Sequence, residues 1–378
     1  MRKRILFLIP SLSIGGAERV LINLLKKIEY NKYDITICLF GYYGEYLTEV
    51  PKGVKVISIF NNSFLARVFT FLQRKLRISF LLKRIVLHKI KNEYDVGICF
   101  SDGLLTDVLL MLNNRLKKKI TWVHSCYKSQ KGLENVYKKE YNKKLVKNRY
   151  NILDNIVFVS KQSKLEFEQL FGDVSNRVII SNIFDSNSIL EKSNVIVNDI
   201  VNDKKHVKLI AIGRLVEVKE FRKLIDAIHI LISKKNNLEL QIFGDGPLKS
   251  NLQSYINSKG LDNYIKLKGF VSNPYPYLKS SDIFILSSSS EALPTVLIEA
   301  MILNIPIVST RNSGAIEISD NGKYALLSDH TAEDLSNKIE KMINSQKLRD
   351  YYAKNATNRV YDYDDSKILL QIDNLLNK

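Results

Sequence analysis

The chain has 378 residues, 45% apolar and 25% charged, with 57 Lys and Arg against 39 Asp and Glu. That length exceeds what one hydrophobic core serves and predicts two domains, and the composition is that of a soluble globular protein. No run approaches the ~20 unbroken apolar residues of a spanning helix, and three cysteines without paired spacing (Cys38, Cys99, Cys126) fit buried thiols in a reducing cytosol rather than a disulfide frame or metal site.

The charge is uneven. Residues 1–200 carry 33 Lys and Arg against 18 Asp and Glu, and residues 201–378 carry 24 against 21. A basic first half attracts nucleic acid, an anionic membrane or an anionic substrate.

The start, MRKRILFLIPSL, is like a signal peptide in outline. Its apolar run spans only Ile5 to Ile9 before Pro10, with no small-residue cleavage site, so it reads as a buried first strand. Ser11-Leu-Ser-Ile-Gly15-Gly16-Ala17-Glu18 follows and leads into a helix over Ala17–Ile28. Two glycines at a strand-to-helix turn let backbone approach a ligand, and a helix N-terminus presents free N–H groups to an anion. Equally, such a turn can simply turn. No GxGxxG or GxxxxGK[ST] is present.

Further strands are predicted at Asp34–Phe40, Val54–Ser58, Val96–Phe100, Lys119–Val123, Asn155–Val159 and Arg177–Ser181. Between them, Val50–Asn92 contains no Asp or Glu. Within it Phe64–Lys91 is amphipathic, with Arg67, Arg74, Arg77, Arg84, His88 and Lys91 on one face and Leu65, Phe69, Leu72, Leu76 and Phe80 on another. That composition suits an interfacial membrane helix, or a buried helix with a solvated basic face. A second basic run, Lys117–Lys119 and Lys128–Arg149, is interleaved with tyrosines that could stack bases, but no nucleic-acid-binding motif accompanies it. His124, in Trp122-Val-His124-Ser125, follows a strand end and reads as a core or loop histidine or as a site residue.

Strand–helix alternation runs down over 186–206, a polar stretch read as a linker, and restarts with strands at Lys208–Ile212, Leu238–Phe243, Ile265–Lys268, Ile283–Leu286 and Ile305–Ser309. Such alternation gives parallel α/β sheets covered by helices on both faces. The expected domains are 1–185, the linker 186–206, 207–357, and a C-terminal helix over 358–378 that packs back on the first domain. Gly213-Arg214-Leu215-Val-Glu217-Val-Lys219-Glu220 leaves a strand end, and its two cations, Arg214 and Lys219, can hold a diphosphate or be solvated. Gly244-Asp245-Gly246-Pro247 reads as a tight turn, and the backbone of Lys268-Gly269-Phe270-Val271 could meet a base edge.

The segment 287–310, SSSSEALPTVLIEAMILNIPIVST, places Glu291 in a loop and Glu299 one turn inside a helix from about Thr295 to Leu303, with Pro294 suited to its first turn. Two carboxylates at one helix end can accept hydrogen bonds from the hydroxyls of a ribose or hexose. They can also be two surface glutamates.

The order of these elements, from the glycine turn through the cation pair, GDGP and KGFV to E-x7-E and PIVST, resembles the retaining glycosyltransferases of family 4 over Ser11 to about Tyr324. The resemblance implies a GT-B fold of two facing Rossmann-like domains. It implies that Glu299 binds donor ribose and that Glu291 and His124 lie at the transferred sugar. Arg214 and Lys219 would hold the diphosphate, with Gly15 and Gly16 approaching it from the first domain. Gly213, Gly269, Phe270, Val271, Leu293, Pro294 and Thr295 would line the donor site. The implied reaction moves a hexose or N-acetylhexosamine from a UDP-linked sugar, with retention, to a lipid-linked or saccharide acceptor of a bacterial surface polysaccharide. No cofactor or metal is expected, since Asp362-Tyr-Asp364-Asp365 reads as a solvated tail patch. The expected location is the cytoplasm, on the inner face of the cell membrane through residues 64–91, with no nucleic acid bound. Three positions depart from the family pattern: Ala292 and Asn304 replace frequent glycines, and Glu220 replaces a small residue. Another GT-B sugar-nucleotide-processing enzyme, such as an epimerase, or a basic nucleic-acid-binding protein stands as the alternative.

Overall fold

The computed structural model describes residues 2–76, 79–127, 140–174, 176–198 and 206–378. These fall into two compact units, one drawn from Met1–Lys128, Gly132–Phe184 and Asp365–Lys378, the other from Asp185–Asp364.

The first unit is a seven-stranded parallel sheet in the order β3-β2-β1-β4-β5-β6-β7. Its strands are β1 Lys3–Ile9, β2 Tyr33–Gly41, β3 Lys55–Phe60, β4 Tyr94–Cys99, β5 Leu116–Val123, β6 Asn155–Phe158 and β7 Arg177–Ile179. In β1 the run Ile5–Ile9 is wholly buried. A central strand of a parallel sheet is covered on both faces and so reads as an unbroken apolar run.

The second unit is a six-stranded parallel sheet in the order β10-β9-β8-β11-β12-β13. It comprises β8 Val207–Ile212, β9 Leu238–Phe243, β10 Ile265–Gly269, β11 Ile283–Leu286, β12 Ile307–Thr310 and β13 Leu326–Ser328. The short edge strand β13 was not among the predicted elements, because three residues carry too little pattern to register.

The stretch 186–206 is not all linker. Helix Ser186–Ser193 occupies its start, capped by the Asp185 side chain accepting from the Ser188 N–H at 3.3 Å. A polar sequence still starts a helix where an Asp caps it. Residues 199–205 lie outside the described residues.

The tail is not one helix from residue 358. Helix Gln346–Val360 ends in a turn at Tyr361–Tyr363, and a separate helix Asp365–Asn377 belongs to the first unit. Tyr33 Oη donates to Asp373 Oδ1 at 2.7 Å, Lys27 pairs with Asp365 at 2.7 Å, and Lys3 and Lys118 donate to the last carbonyls, Leu376 O and Leu375 O, each at 2.7 Å. Cations there complement the negative end of the helix dipole.

The region read as one amphipathic stretch over Phe64–Lys91 forms two helices, Ser63–Leu76 and Ser79–Lys89. Leu82, Val86 and the following Ile90 are buried and set the inner face of the second. Phe69 stacks on core residue Phe60 at 4.6 Å, whereas Phe64, Phe71 and Phe80 are 70%, 59% and 71% exposed. The shared apolar face expected for Phe69 and Phe80 is therefore split between core and surface. Arg77 and residues 128–139 lie outside the described residues, as do the side chains of Arg74 and Leu76.

Candidate functional site

In the second sheet the chain winds outward from β8 to β9 and β10, then returns on the other side of β8 with β11. Loops leaving the carboxyl ends of β8 and β11 therefore diverge, and open α/β sheets bind ligands at such a reversal. Those loops are 213–220 and 287–294. Ser287 Oγ donates to Lys219 O at 2.7 Å, and Ser289 donates to Val218 O through its N–H at 2.9 Å and its Oγ at 3.2 Å. This strap brings Lys219 Nζ to 2.5 Å from Glu291 Oε1, with the two side chains only 20% and 17% exposed. Arg214 is exposed.

The glycines of GDGP have a packing role. Gly244 has φ +140°, and a Cβ there would lie 1.9 Å from Gly213 O. A Cβ on Gly246 would lie 2.5 Å from Leu215 O. Gly213 N–H donates to Phe243 O and Leu215 N–H to Asp245 O, both at 2.9 Å. The turn after β9 thus supports the loop that carries Arg214 and Lys219. Glu220 is left-handed at φ +47°, which explains why a small residue suits that position, and its carboxylate pairs with Lys223. At the end of β10, Gly269 has φ +74°, Phe270 is exposed and Val271 half-buried.

Glu291 is held through its backbone, its carbonyl accepting from Gly314 N–H at 2.7 Å. Ala292, Leu293 and Pro294 are buried behind it. Pro294 stands just before helix Thr295–Ile302 at φ −69°, ψ 105°, rather than within its first turn. That extended conformation leaves Thr295 as the first helical residue and puts the partly exposed Glu299 one turn in. Asn304 adopts φ +59°, the left-handed turn that a glycine would otherwise supply.

In the first unit the reversal lies between β1 and β4, with β5 beside β4. Gly15 caps helix Gly16–Lys27 in an extended conformation, and the Glu18 carboxylate lies against it, 2.2 Å from where a Cβ would be. Gly16 meets nothing within 4 Å and offers the open approach. His124 follows β5, its ring 4.9 Å from that of Phe100, and its Nε2 is enclosed without a hydrogen-bond partner among the described residues. Burial pushes the imidazole down to about 3, so it is neutral at physiological pH.

Sequence reasoning missed the neighbour of these groups. Asp102, just past β4, lies against Tyr127 Oη and 3.5 Å from Tyr150 Oη, and the two hydroxyls are 3.0 Å apart. Burial raises its carboxyl to about 6, with the tyrosine hydroxyls opposing the rise. The signal available was an Asp-Gly at a strand end beside the sheet reversal.

Among the described residues no group of three or more His, Cys, Asp and Glu side chains could hold a metal ion. None of their helices is long and apolar enough to cross a membrane.

Residues 193–359 match the model of Glycosyl transferases group 1, and residues 14–187 match Glycosyltransferase Family 4. An uncharacterised glycosyltransferase of Methanocaldococcus jannaschii is 30% identical over 317 residues, 74% of this chain and 76% of the relative. An α-1,4-N-acetyl-D-galactosaminyltransferase of Campylobacter jejuni, which acts on a diphospho-undecaprenol-linked saccharide, is 25% identical over 97% of this chain and 96% of its own. Other relatives are matched over a smaller share, such as 42% of a poly(ribitol-phosphate) α-N-acetylglucosaminyltransferase of Staphylococcus aureus. Among solved structures, Anabaena HepE in complex with UDP and glucose shares the fold, with a TM-score of 0.78 over 100% of both chains at 22% identity. Staphylococcus aureus TarM shares it with a TM-score of 0.77 over 100% of both chains at 15% identity.

Proposed function

From the premise that the chain belongs to the family 4 glycosyltransferases and has their GT-B fold, we propose that it moves a hexose or N-acetylhexosamine from a UDP-linked sugar, with retention, to a saccharide or lipid-linked acceptor in surface polysaccharide synthesis. The observation that carries this is the Lys219–Glu291 pair at the β8/β11 reversal.

Without donor, each group neutralises the other. A donor diphosphate competes for Lys219, with Arg214 as the second cation, and each stabilises charge on the departing phosphate. Glu291, released, accepts from hydroxyls of the transferred sugar, while Glu299 takes the ribose and the backbone of 269–271 takes the base. The reaction breaks the bond from the anomeric carbon to the phosphate oxygen and forms one to the acceptor oxygen on the same face. The acceptor proton passes to the departing phosphate. With two side-chain cations in place, the reading requires no metal and no cofactor.

UDP as carrier and a surface polysaccharide as destination draw support from relatives. HepE binds UDP and glucose, and the Campylobacter enzyme works on a diphospho-undecaprenol saccharide. Placement in the cytoplasm at the inner membrane face draws support from exposed Phe64, Phe71 and Phe80 beside exposed Arg67, Lys83 and Arg84.

The test is incubation with UDP-glucose, UDP-N-acetylglucosamine and UDP-N-acetylgalactosamine, with and without saccharide acceptors, the anomeric configuration of product being read by NMR. Retained-configuration transfer in excess chelator is expected. An inverted product, a free epimer formed without acceptor, or dependence on added Mg²⁺ or Mn²⁺ overturns the corresponding part.

A further inference from the structure

The first unit presents a carboxylate that the donor chemistry does not use. Asp102 stands at the carboxyl end of β4, in the loop facing that of β1 across the sheet reversal and next to that of β5. The next residue, Gly103, takes φ +95°, and a side chain there would meet nothing within 4 Å, so the loop turns away into open space.

The carboxylate is held and has capacity to spare. Tyr127 Oη donates to Oδ2, and Tyr150 Oη stands 3.5 Å from the same oxygen. Tyr127 and Tyr150 are buried, and Phe167 packs on both, at 5.6 Å and 4.9 Å. A carboxylate accepts about four hydrogen bonds, so at least one further donor fits. Among the described residues no cation lies in ion-pair contact with it, and the Arg149 guanidinium acts on it only from a distance. The guanidinium of Arg149 is engaged by Asp107, at 2.7 Å and 3.0 Å. A partly buried carboxylate without a cation costs stability, and such groups gather at functional sites. Beside it, on the next strand end, the enclosed Nε2 of His124 lacks a partner among the described residues. Two adjacent strand ends therefore offer one acceptor with spare capacity and one unsatisfied ring nitrogen.

We propose that Asp102 binds a hydroxyl of the saccharide acceptor, with Tyr127 and Tyr150 as the residues that position it. This rests on the glycosyl-transfer reading above. The acceptor hydroxyl donates to the Asp102 carboxylate and is fixed in orientation. The proton transferred in the reaction still leaves on the phosphate.

The test uses the full chain, Asp102→Asn and Tyr150→Phe, a UDP-sugar that the wild type binds by calorimetry, and a panel of octyl glycosides as acceptor probes. Losing a hydrogen bond to a charged group predicts a fall of roughly 10- to 100-fold in kcat/KM for the acceptor in Asp102→Asn. Donor affinity and the slow hydrolysis of donor without acceptor stay within about twofold. Tyr150→Phe gives a smaller fall in the same parameter only. Wild-type acceptor kinetics in folded Asp102→Asn overturns the proposal. So does equal loss of donor hydrolysis and acceptor transfer, which marks a structural role, and so does a wild type that binds donor yet glycosylates no probe. A wild type that binds no UDP-sugar refutes the transfer reading itself and removes Asp102's ligand with it.

Discussion

Lys219 Nζ and Glu291 Oε1 lie 2.5 Å apart although 72 residues separate them in sequence. The strap from Ser287 and Ser289 to the 218–219 carbonyls makes that approach a property of the backbone rather than of two flexible side chains.

Substituting either partner is expected to affect stability and turnover differently. Lys219→Ala leaves a largely buried carboxylate without its cation, and Glu291→Gln does the converse. Each is expected to cost about 1–3 kcal/mol of stability. Turnover falls roughly 100- to 1000-fold in Lys219→Ala through loss of leaving-group stabilisation. The double variant Lys219→Met/Glu291→Gln recovers most of the stability and none of the turnover. Denaturant melts beside single-turnover rates check this, and near-normal turnover in folded Lys219→Ala would remove the leaving-group assignment.

Gly244→Ala tests the support under the cation loop. The residue sits at φ +140°, where a Cβ meets Gly213 O at 1.9 Å, so the turn after β9 must move away from 213–215. Loss of about 1–3 kcal/mol is expected for forcing a side chain into such a backbone state. Catalysis weakens further, because Leu215 N–H loses its bond to Asp245 O. Gly16→Ala, in open space, is the control and leaves stability unchanged within about 0.5 kcal/mol. Equal melting of the two variants contradicts the packing role.

Much of this was legible because buried parallel strands announce themselves. Ile5–Ile9 and Leu209–Ala211 are apolar runs with no solvent face, and the residues after them fall at strand ends by construction. E-x7-E was legible as a spacing, and Asn304 as a residue that tolerates a left-handed turn. The rest depended on distant partners. Asp102 became notable only through Tyr127 and Tyr150, 25 and 48 residues on, and Ser287 and Ser289 only through the carbonyls they reach. Helix Ser186–Ser193 was hidden because its start rests on a single Asp cap in a polar stretch. The split of Phe69 from Phe80 followed from which helix each belongs to, which charge spacing does not reveal.

His124 gives the pH prediction. Its folded value of about 3 lies below the usual 6.5, so between those values the unfolded chain binds a proton that the folded protein refuses. The contribution is therefore fully present above pH 6.5 and is lost as pH falls toward 3. By NMR, the His124 ring is expected to stay neutral between pH 5 and 8. Between pH 7.5 and 4.5 the wild type is expected to lose more stability than His124→Gln, by up to one proton's worth of slope. A His124 midpoint near 6.5 contradicts the enclosed ring.

The basic helices give the last prediction. Arg67, Lys83, Arg84 and Lys89 are exposed on helices Ser63–Leu76 and Ser79–Lys89, with no Asp or Glu between Val50 and Asn92 to offset them. Phe80 lies beneath the Arg84 guanidinium, 5.7 Å from its ring centre, so apolar and cationic groups meet on one surface. Each cation near an anionic leaflet contributes about 1 kcal/mol, roughly fivefold in binding. Sedimentation with phosphatidylglycerol vesicles at low salt is expected, fading as ionic strength rises. Reversing Arg67 and Arg84 to Glu is expected to reduce binding by at least about 25-fold. Phe80→Ser is expected to weaken it with less salt dependence, since the ring acts by burial rather than by charge. Transfer to a soluble octyl glycoside stays unchanged in these variants, because none touches the donor loops. Vesicle binding that survives both changes assigns the surface to something other than a membrane.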